Sequence, residues 1–412
     1  MAIRHDITQE TACLSQASSL SSRTSSSLSD DLSDFKYSRP ITARQDGSSD
    51  RSLGITASYA STSTKSDHRW SLLADIQRLM DGTKYRVTSC MHARGGYADL
   101  MQSGDDYYYQ NIITCGSVWM CPVCRQKILS GRRHEISEAL KSGLTPVMVT
   151  VTLQHSKSDK LTDLLDALSH SLRRLKSGRW YQDFKKTYHV KASVSTLEIR
   201  WSRETGWHPH RHMILFCDLP GITDADTDLI QKDLSGRYRH LLSLSGHYAS
   251  QYHGIDVRIG DACIGDYLSK DNWSLAHEMS STDSKSSSVS VSPFNLAEMA
   301  CQGDGQAYHL WMEYVSSTYG KRQITWSRGG KDLLGVTDKS DEDLASQHPG
   351  SDEDASAEEE TPVVVMSIQR DIWHYVISQG LPGRLLEVAR QGGKDAVRDY
   401  LDWIAHRMRG SP

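Results

Sequence analysis

The chain has 412 residues, room for two to three domains of about 150 residues each. Hydrophobic residues make up 38% and charged residues 24%, which excludes collagen-like and membrane-dominated chains. The formal net charge of −4 averages unlike parts: residues 338–360 hold ten Asp or Glu against one Lys, so the remainder is net basic and suits a nucleic-acid partner.

In chain order, residues 1–66 contain 18 Ser and few large apolar side chains, too little apolar surface to offset chain entropy, and are expected as a disordered tail. Residues 67–144 carry a cysteine group. Residues 146–153 are β-branched and strand-like. Leu161, Leu164, Leu165, Leu168, Leu172 and Leu175 then recur at helical spacing. Residues 190–201 and 208–217 read as strands around a turn at 204–206. Thr223 suits the cap of a helix whose apolar face includes Ile230, Leu234, Leu241 and Leu242. A short strand follows at 255–259, then a helix from Asp261. The pattern β-α-β-β-α-β predicts an α+β fold with a ferredoxin-like antiparallel sheet over 145–336, helices on one face and the other face free. An acidic linker over 337–361 isolates a small helical domain at 362–412, which suits either a homodimer contact or a duplex-DNA contact. No apolar run reaches the ~18 residues of a membrane helix, and the first residues lack the apolar core of a signal peptide. A cytoplasmic protein is expected.

Three constellations carry chemistry. Cys121-Pro-Val-Cys124 has the spacing that lets one turn present two thiolates to a metal, Cys115 lies six residues earlier, and Cys90 is the natural fourth ligand, with His92 its competitor. A closed, structural zinc site is expected. His208, His210 and His212 alternate along one strand and so share a face. A turn centred near Thr205 sets Glu198 opposite His212 and Arg200 opposite His210, which predicts a divalent-metal site of Glu198, His210 and His212 suited to Mg²⁺ or Mn²⁺. Tyr267 and Lys270, at i and i+3, share one face of the helix after the last strand. A phenol there can attack a phosphodiester when a metal and a cation neutralise the phosphate.

These motifs, in this order, resemble the rolling-circle replication initiators of bacterial plasmids and related phages, members of the HUH endonuclease superfamily. The resemblance runs from Cys90 to Leu334 and includes the cysteine block, Gly206-Trp-His-Pro-His-Arg-His212, Tyr267-Leu-Ser-Lys270 and 320–329. It implies that Thr150-Val-Thr-Leu153 lies on the central strand, that His210 and His212 bind the metal, and that Tyr267 is the nucleophile. Tyr267 would nick one strand of a single-stranded or hairpin plasmid origin, become joined to its 5′ phosphate and free a 3′-OH for a host polymerase working with a host helicase. Lys270 would sit beside metal and phosphate. Arg125, Lys127, Arg132 and Arg133 are candidate phosphate contacts, and Trp201, Trp207 and Tyr252 candidate stacking partners. The sequence departs from the family at Arg211, between the two histidines, where a hydrophobic residue is usual; its alternate position suggests incomplete helix cover on the opposite face. Position 271 is Asp where some relatives have a second Tyr, and position 263 is Cys where plasmid relatives often have Glu. A zinc-dependent DNA-binding regulator without nicking activity, or a transposase of the same superfamily, are the competing readings.

Overall fold

The computed structural model describes residues 65–219, 221–259, 290–347 and 361–409. It is a mixed α/β fold built on two antiparallel sheets. The larger has five strands, β3 (Thr145–Thr152), β4 (Val190–Ser202), β5 (Gly206–Cys217), β6 (Ile255–Ile259) and β7 (Ile324–Trp326), in the order β6-β3-β5-β4-β7. Alternation divides its residues cleanly. Val147, Val149 and Val151 of β3, Leu197 and Ile199 of β4, and Met213 and Leu215 of β5 are buried on one side. Helix α3 (Leu161–Leu175) packs there against β5, and all six leucines of its predicted stripe are buried. The next-but-one helix, α5 (Asp224–Ser243), packs on α3 and β6. Thr223 caps it as expected: its hydroxyl accepts the Asp226 N–H, and the Asp226 carboxylate takes the Thr223 N–H at 2.8 Å.

The β4–β5 hairpin decides where the site residues fall. Ser202 pairs with Gly206, leaving Arg203-Glu204-Thr205 as a three-residue loop closed by the Thr205 N–H donating to Ser202 Oγ at 3.0 Å. The hairpin is thus centred on Glu204, one residue earlier than the sequence suggests. Glu198 lies opposite His210, not His212, and Arg200 lies opposite His208, not His210. A two-residue shift in partner keeps every side chain on its face, so the composition of the site survives the error in register. Gly206 makes the loop feasible: its φ is +77°, and a Cβ there would meet the Lys157 Cα at 2.9 Å. Gly206→Ala is expected to destabilise the fold by about 2 kcal/mol, read as a lowered thermal midpoint by circular dichroism.

The second sheet corrects the expected C-terminal organisation. The 362–412 piece is not helical throughout. It opens with β8 (Val363–Gln369), which pairs antiparallel with β1 (Tyr97–Ser103), itself paired with β2 (Asp106–Gln110) in the order β2-β1-β8. Two helical segments follow, Arg370–Ser378 and Pro382–Arg409, the second broken at Gly393. Trp373 is buried, donates its indole N–H to the Met91 carbonyl at 2.7 Å and packs at a tilt against Tyr109, ring centres 4.6 Å apart. The end of the chain therefore completes the core of the cysteine-bearing region. Helical periodicity in 372–404 was legible, but a strand whose partner lies about 265 residues away leaves no local signal. The acidic stretch is likewise not all linker: Asp341–Ser346 forms a short helix capped by Ser340 and packed on α2 (Pro122–Leu140).

Candidate metal centres

The open face of the larger sheet carries the histidine row. Residues paired across strands share a face, so Thr150, His212 and Thr196 lie in one line, and Glu198 and His210 in the next. Nε2 of His210 lies 3.1 Å from Glu198 Oε2, and Nε2 of His212 lies 3.4 Å from the same oxygen. One ligand atom from each of the three lies within 4.8 Å of the others. On the far side of His212, Nδ1 is hydrogen-bonded to Thr150 Oγ1 at 3.1 Å, while Nδ1 of His210 is buried without a partner. Burial alone would push the Glu198 carboxyl up, but the two imidazoles outweigh it and hold it well below the usual carboxylate range. Burial pulls His212 down despite Glu198. His208 is pulled down to about 4, by burial first and then by His210 and by His155, whose ring centre lies 4.6 Å away. His212, biased toward its neutral form, and a firmly ionised Glu198 fit a cation, because a neutral imidazole keeps one ring lone pair available.

Sequence reasoning gave three neighbours no part in the metal site. Thr150 follows from the register of β3, whose alternate residues face the histidines. Arg200 sits with Nη1 3.6 Å from Glu198 Oε1, and its Nε donates to Ser290 Oγ at 3.0 Å. His155, just beyond β3, had no periodic signal. Arg211 points to the helix-covered side, half-buried, its guanidinium pulled down to about 10 by burial, so that end of the strand is better covered than expected. Thr150 lies on β3, an interior strand next to the β6 edge; the centre of the five is β5.

The four cysteines converge as predicted. Sγ of Cys90 lies 3.6 Å from those of Cys121 and Cys124, and Cys115 lies 3.7 Å from Cys124. A tetrahedral ion with arms of about 2.3 Å has sulfur–sulfur edges near ~3.8 Å, so the spacing fits such an ion, and all four are buried free cysteines. Pro122 starts α2, and Cys121 caps it by accepting the Cys124 N–H at 3.3 Å, which is how two residues of spacing place both sulfurs on one side. Burial pushes the Cys121 thiol up, whereas its three neighbours pull Cys124 well down. His92 is not a member: its ring packs on His374 with centres 4.5 Å apart.

The candidate DNA contacts divide. Trp207 is buried and donates to Glu313 Oε2 at 2.9 Å, and Trp201, its partner across the hairpin, is buried too. Arg125 is buried, donating to the Val118 carbonyl at 3.2 Å with its guanidinium 5.4 Å from the Phe294 ring centre. These three serve the core, contrary to expectation. Arg132 pairs with Glu135 and Asp341, Lys127 donates to the Gln347 carbonyl at 3.2 Å, and Arg133 is half-buried with Nε unpartnered. Tyr252 is exposed. Tyr267 and Lys270, with Cys263 and Asp271, lie outside the described residues.

Comparison with known proteins adds a direction. The chain matches no family model and no solved structure. It is similar to "Protein rep" of Streptomyces lividans, 26% identical over 365 aligned residues that cover 70% of this chain and 77% of that protein. A shorter stretch is similar to "Neomycin resistance protein" of Streptomyces cyanogenus, 28% identical over 132 residues, 25% of this chain and 30% of that one. Among the described residues, no helix is long and apolar enough to cross a membrane. The chain thus carries two convergent ligand sets on a mixed α/β frame and is similar to a protein named Rep over 70% of its length.

Proposed function

We propose that the protein is a plasmid rolling-circle replication initiator that nicks and rejoins one strand of origin DNA through a 5′-phosphotyrosine at Tyr267. The observation that carries this is the juxtaposition of Glu198, His210 and His212 on the open face of a sheet whose strand order, β6-β3-β5-β4, is that of a ferredoxin-like split β-α-β arrangement. That arrangement supports an HUH-type endonuclease. The carboxylate and two imidazoles suit a divalent ion that also takes phosphate oxygens, Mg²⁺ or Mn²⁺, whereas the four thiolates suit structural Zn²⁺.

A bound divalent ion would supply charge neutralisation on the scissile phosphate. The chain's own residues do the rest. Thr150 accepts the Nδ1 proton of His212 and so leaves Nε2 with its lone pair toward the cation, with Glu198 orienting both rings. Arg200, beside Glu198, is a donor for a phosphate oxygen. The Tyr267 oxygen attacks phosphorus, the bond to the departing 3′ oxygen breaks, and the phenolic proton passes to solvent as that oxygen gains one. The ester conserves the bond energy, so a 3′-OH can later reverse the step. Lys270, three residues on, would hold the phosphate.

The test is a labelled single-stranded origin oligonucleotide incubated with the protein and Mn²⁺, then run under denaturing conditions. A covalent protein–DNA band that chelation prevents is expected. Tight binding with no such band would instead favour the DNA-binding regulator; cleavage restricted to transposon ends would favour the transposase.

A further inference from the structure

A cavity of about 1100 Å³ lies beside the cysteine site, walled by Cys115–Met120, by 319–327 around β7, and by 338–343. Five of its lining cations come from outside the acidic stretch: Arg86, Arg132, Lys321, Arg322 and Lys331. The acidic stretch pairs with three of them. Asp338 Oδ1 takes Lys331 Nζ at 2.8 Å, Asp341 Oδ1 takes Arg132 Nη2 at 2.6 Å, and Glu342 lies 3.9 Å from Arg86 and against Gly116. The exposure is lopsided. The Lys331 and Arg132 side chains are 10% and 11% exposed, while Asp338 is 85% and Asp341 29% exposed. The cations form a floor and the carboxylates a lid. Asp338 and Glu342 are exposed, and exposed carboxylates gain little from pairing, typically under ~1 kcal/mol each, so another anion can take their place. Glu135, bonded to both floor cations, keeps them in position meanwhile.

The groove also leads to the metal site. Ile324 pairs with Thr196, which pairs with His212, so Ile324 lies on the histidine face, two strand spacings or about 10 Å along. Trp326, on the same face, lines the groove, and its buried indole N–H has no partner. Tyr319, exposed, offers a ring at the rim.

We propose that this groove seats the phosphodiester backbone of the single strand led to the histidine face, and that Asp338, Asp341 and Glu342 compete with it as a built-in brake. The proposal rests on the reading that the protein handles single-stranded DNA, and its test separates the two. Binding of a fluorescent thymidine oligonucleotide of about 20 nucleotides is followed by anisotropy over a range of salt, without divalent ion. The variant D338N/D341N/E342Q is expected to bind about tenfold tighter, with the salt slope steeper by up to ~2, about 0.7 per freed cation. The control D105N/D163N/D228N makes the same charge change at exposed residues outside the groove and is expected to gain far less. Equal gains in the two variants, or no gain in the first, overturn the proposal. Should the triple variant melt well below wild type, Arg322→Gln carries the test. Arg322 is exposed, so its loss should leave the thermal midpoint unchanged and make the slope shallower by about 0.7; unchanged binding then overturns the proposal. Origin cleavage with failed groove variants strikes the groove alone, whereas groove binding without cleavage strikes the nicking reading.

Discussion

Replacing His212 with alanine is expected to lower origin nicking about a thousandfold while leaving the fold and DNA binding near wild type. His212 is only partly buried and lies in a layer of polar residues, so truncation leaves no large apolar cavity. What it removes is one of the two imidazoles beside Glu198 Oε2, and with it one of the three candidate ligands. A thousandfold corresponds to about 4 kcal/mol of transition-state stabilisation, the scale on which preorganised charge acts on a developing anion. Single-turnover cleavage of a labelled origin strand, compared with a thermal melt, separates this loss from unfolding. Glu198→Gln should behave alike for a different reason: it keeps the volume but gives up the charge that faces both imidazoles.

The largest effect on stability is expected at Cys121. This sulfur is buried, lies 3.6 Å from Cys90 and caps α2. With a structural ion in place, ligand binding and folding are the same event, with an apparent free energy of about 10–16 kcal/mol for four-ligand sites. That is comparable to the entire stability of a domain. Cys121→Ser is therefore expected to yield protein that has lost its zinc and is insoluble or lacks a cooperative melt. Wild-type protein should carry about one zinc per chain by elemental analysis. Stable, zinc-free wild type would contradict this account. The consequence reaches beyond the cysteines, because Met91, next to Cys90, accepts from Trp373, and Trp119 donates to the Lys321 carbonyl at 2.7 Å on the rim of the basic groove.

Much of the candidate chemistry was legible because it is written locally. Two thiols two residues apart around a proline, and three histidines at alternate positions, declare a shared face wherever they fold. The leucine stripe of α3 and the Thr223 cap are equally local, and both occur as read. Errors came where the answer depends on a distant partner. The hairpin centre moved by one residue because the Ser202–Gly206 pair sets the closure. Strand β8 was unreadable without β1, and the folding of 341–346 onto α2 runs against its charge until Arg132 is in view. Trp207 and Arg125 have compositions suited to nucleic acid, but Glu313, Val118 and Phe294 claim them for the interior.

The claim that the histidine face carries out strand transfer to a phenol is tested most directly by mass spectrometry. The protein is incubated with single-stranded origin DNA and Mn²⁺, digested with nuclease and protease, and searched for a nucleotide-bearing peptide. The account predicts one modified peptide, with the phosphate on Tyr267, that disappears in Tyr267→Phe and in His212→Ala. Cleaved DNA with no modified peptide, or with the phosphate on another residue, would contradict it.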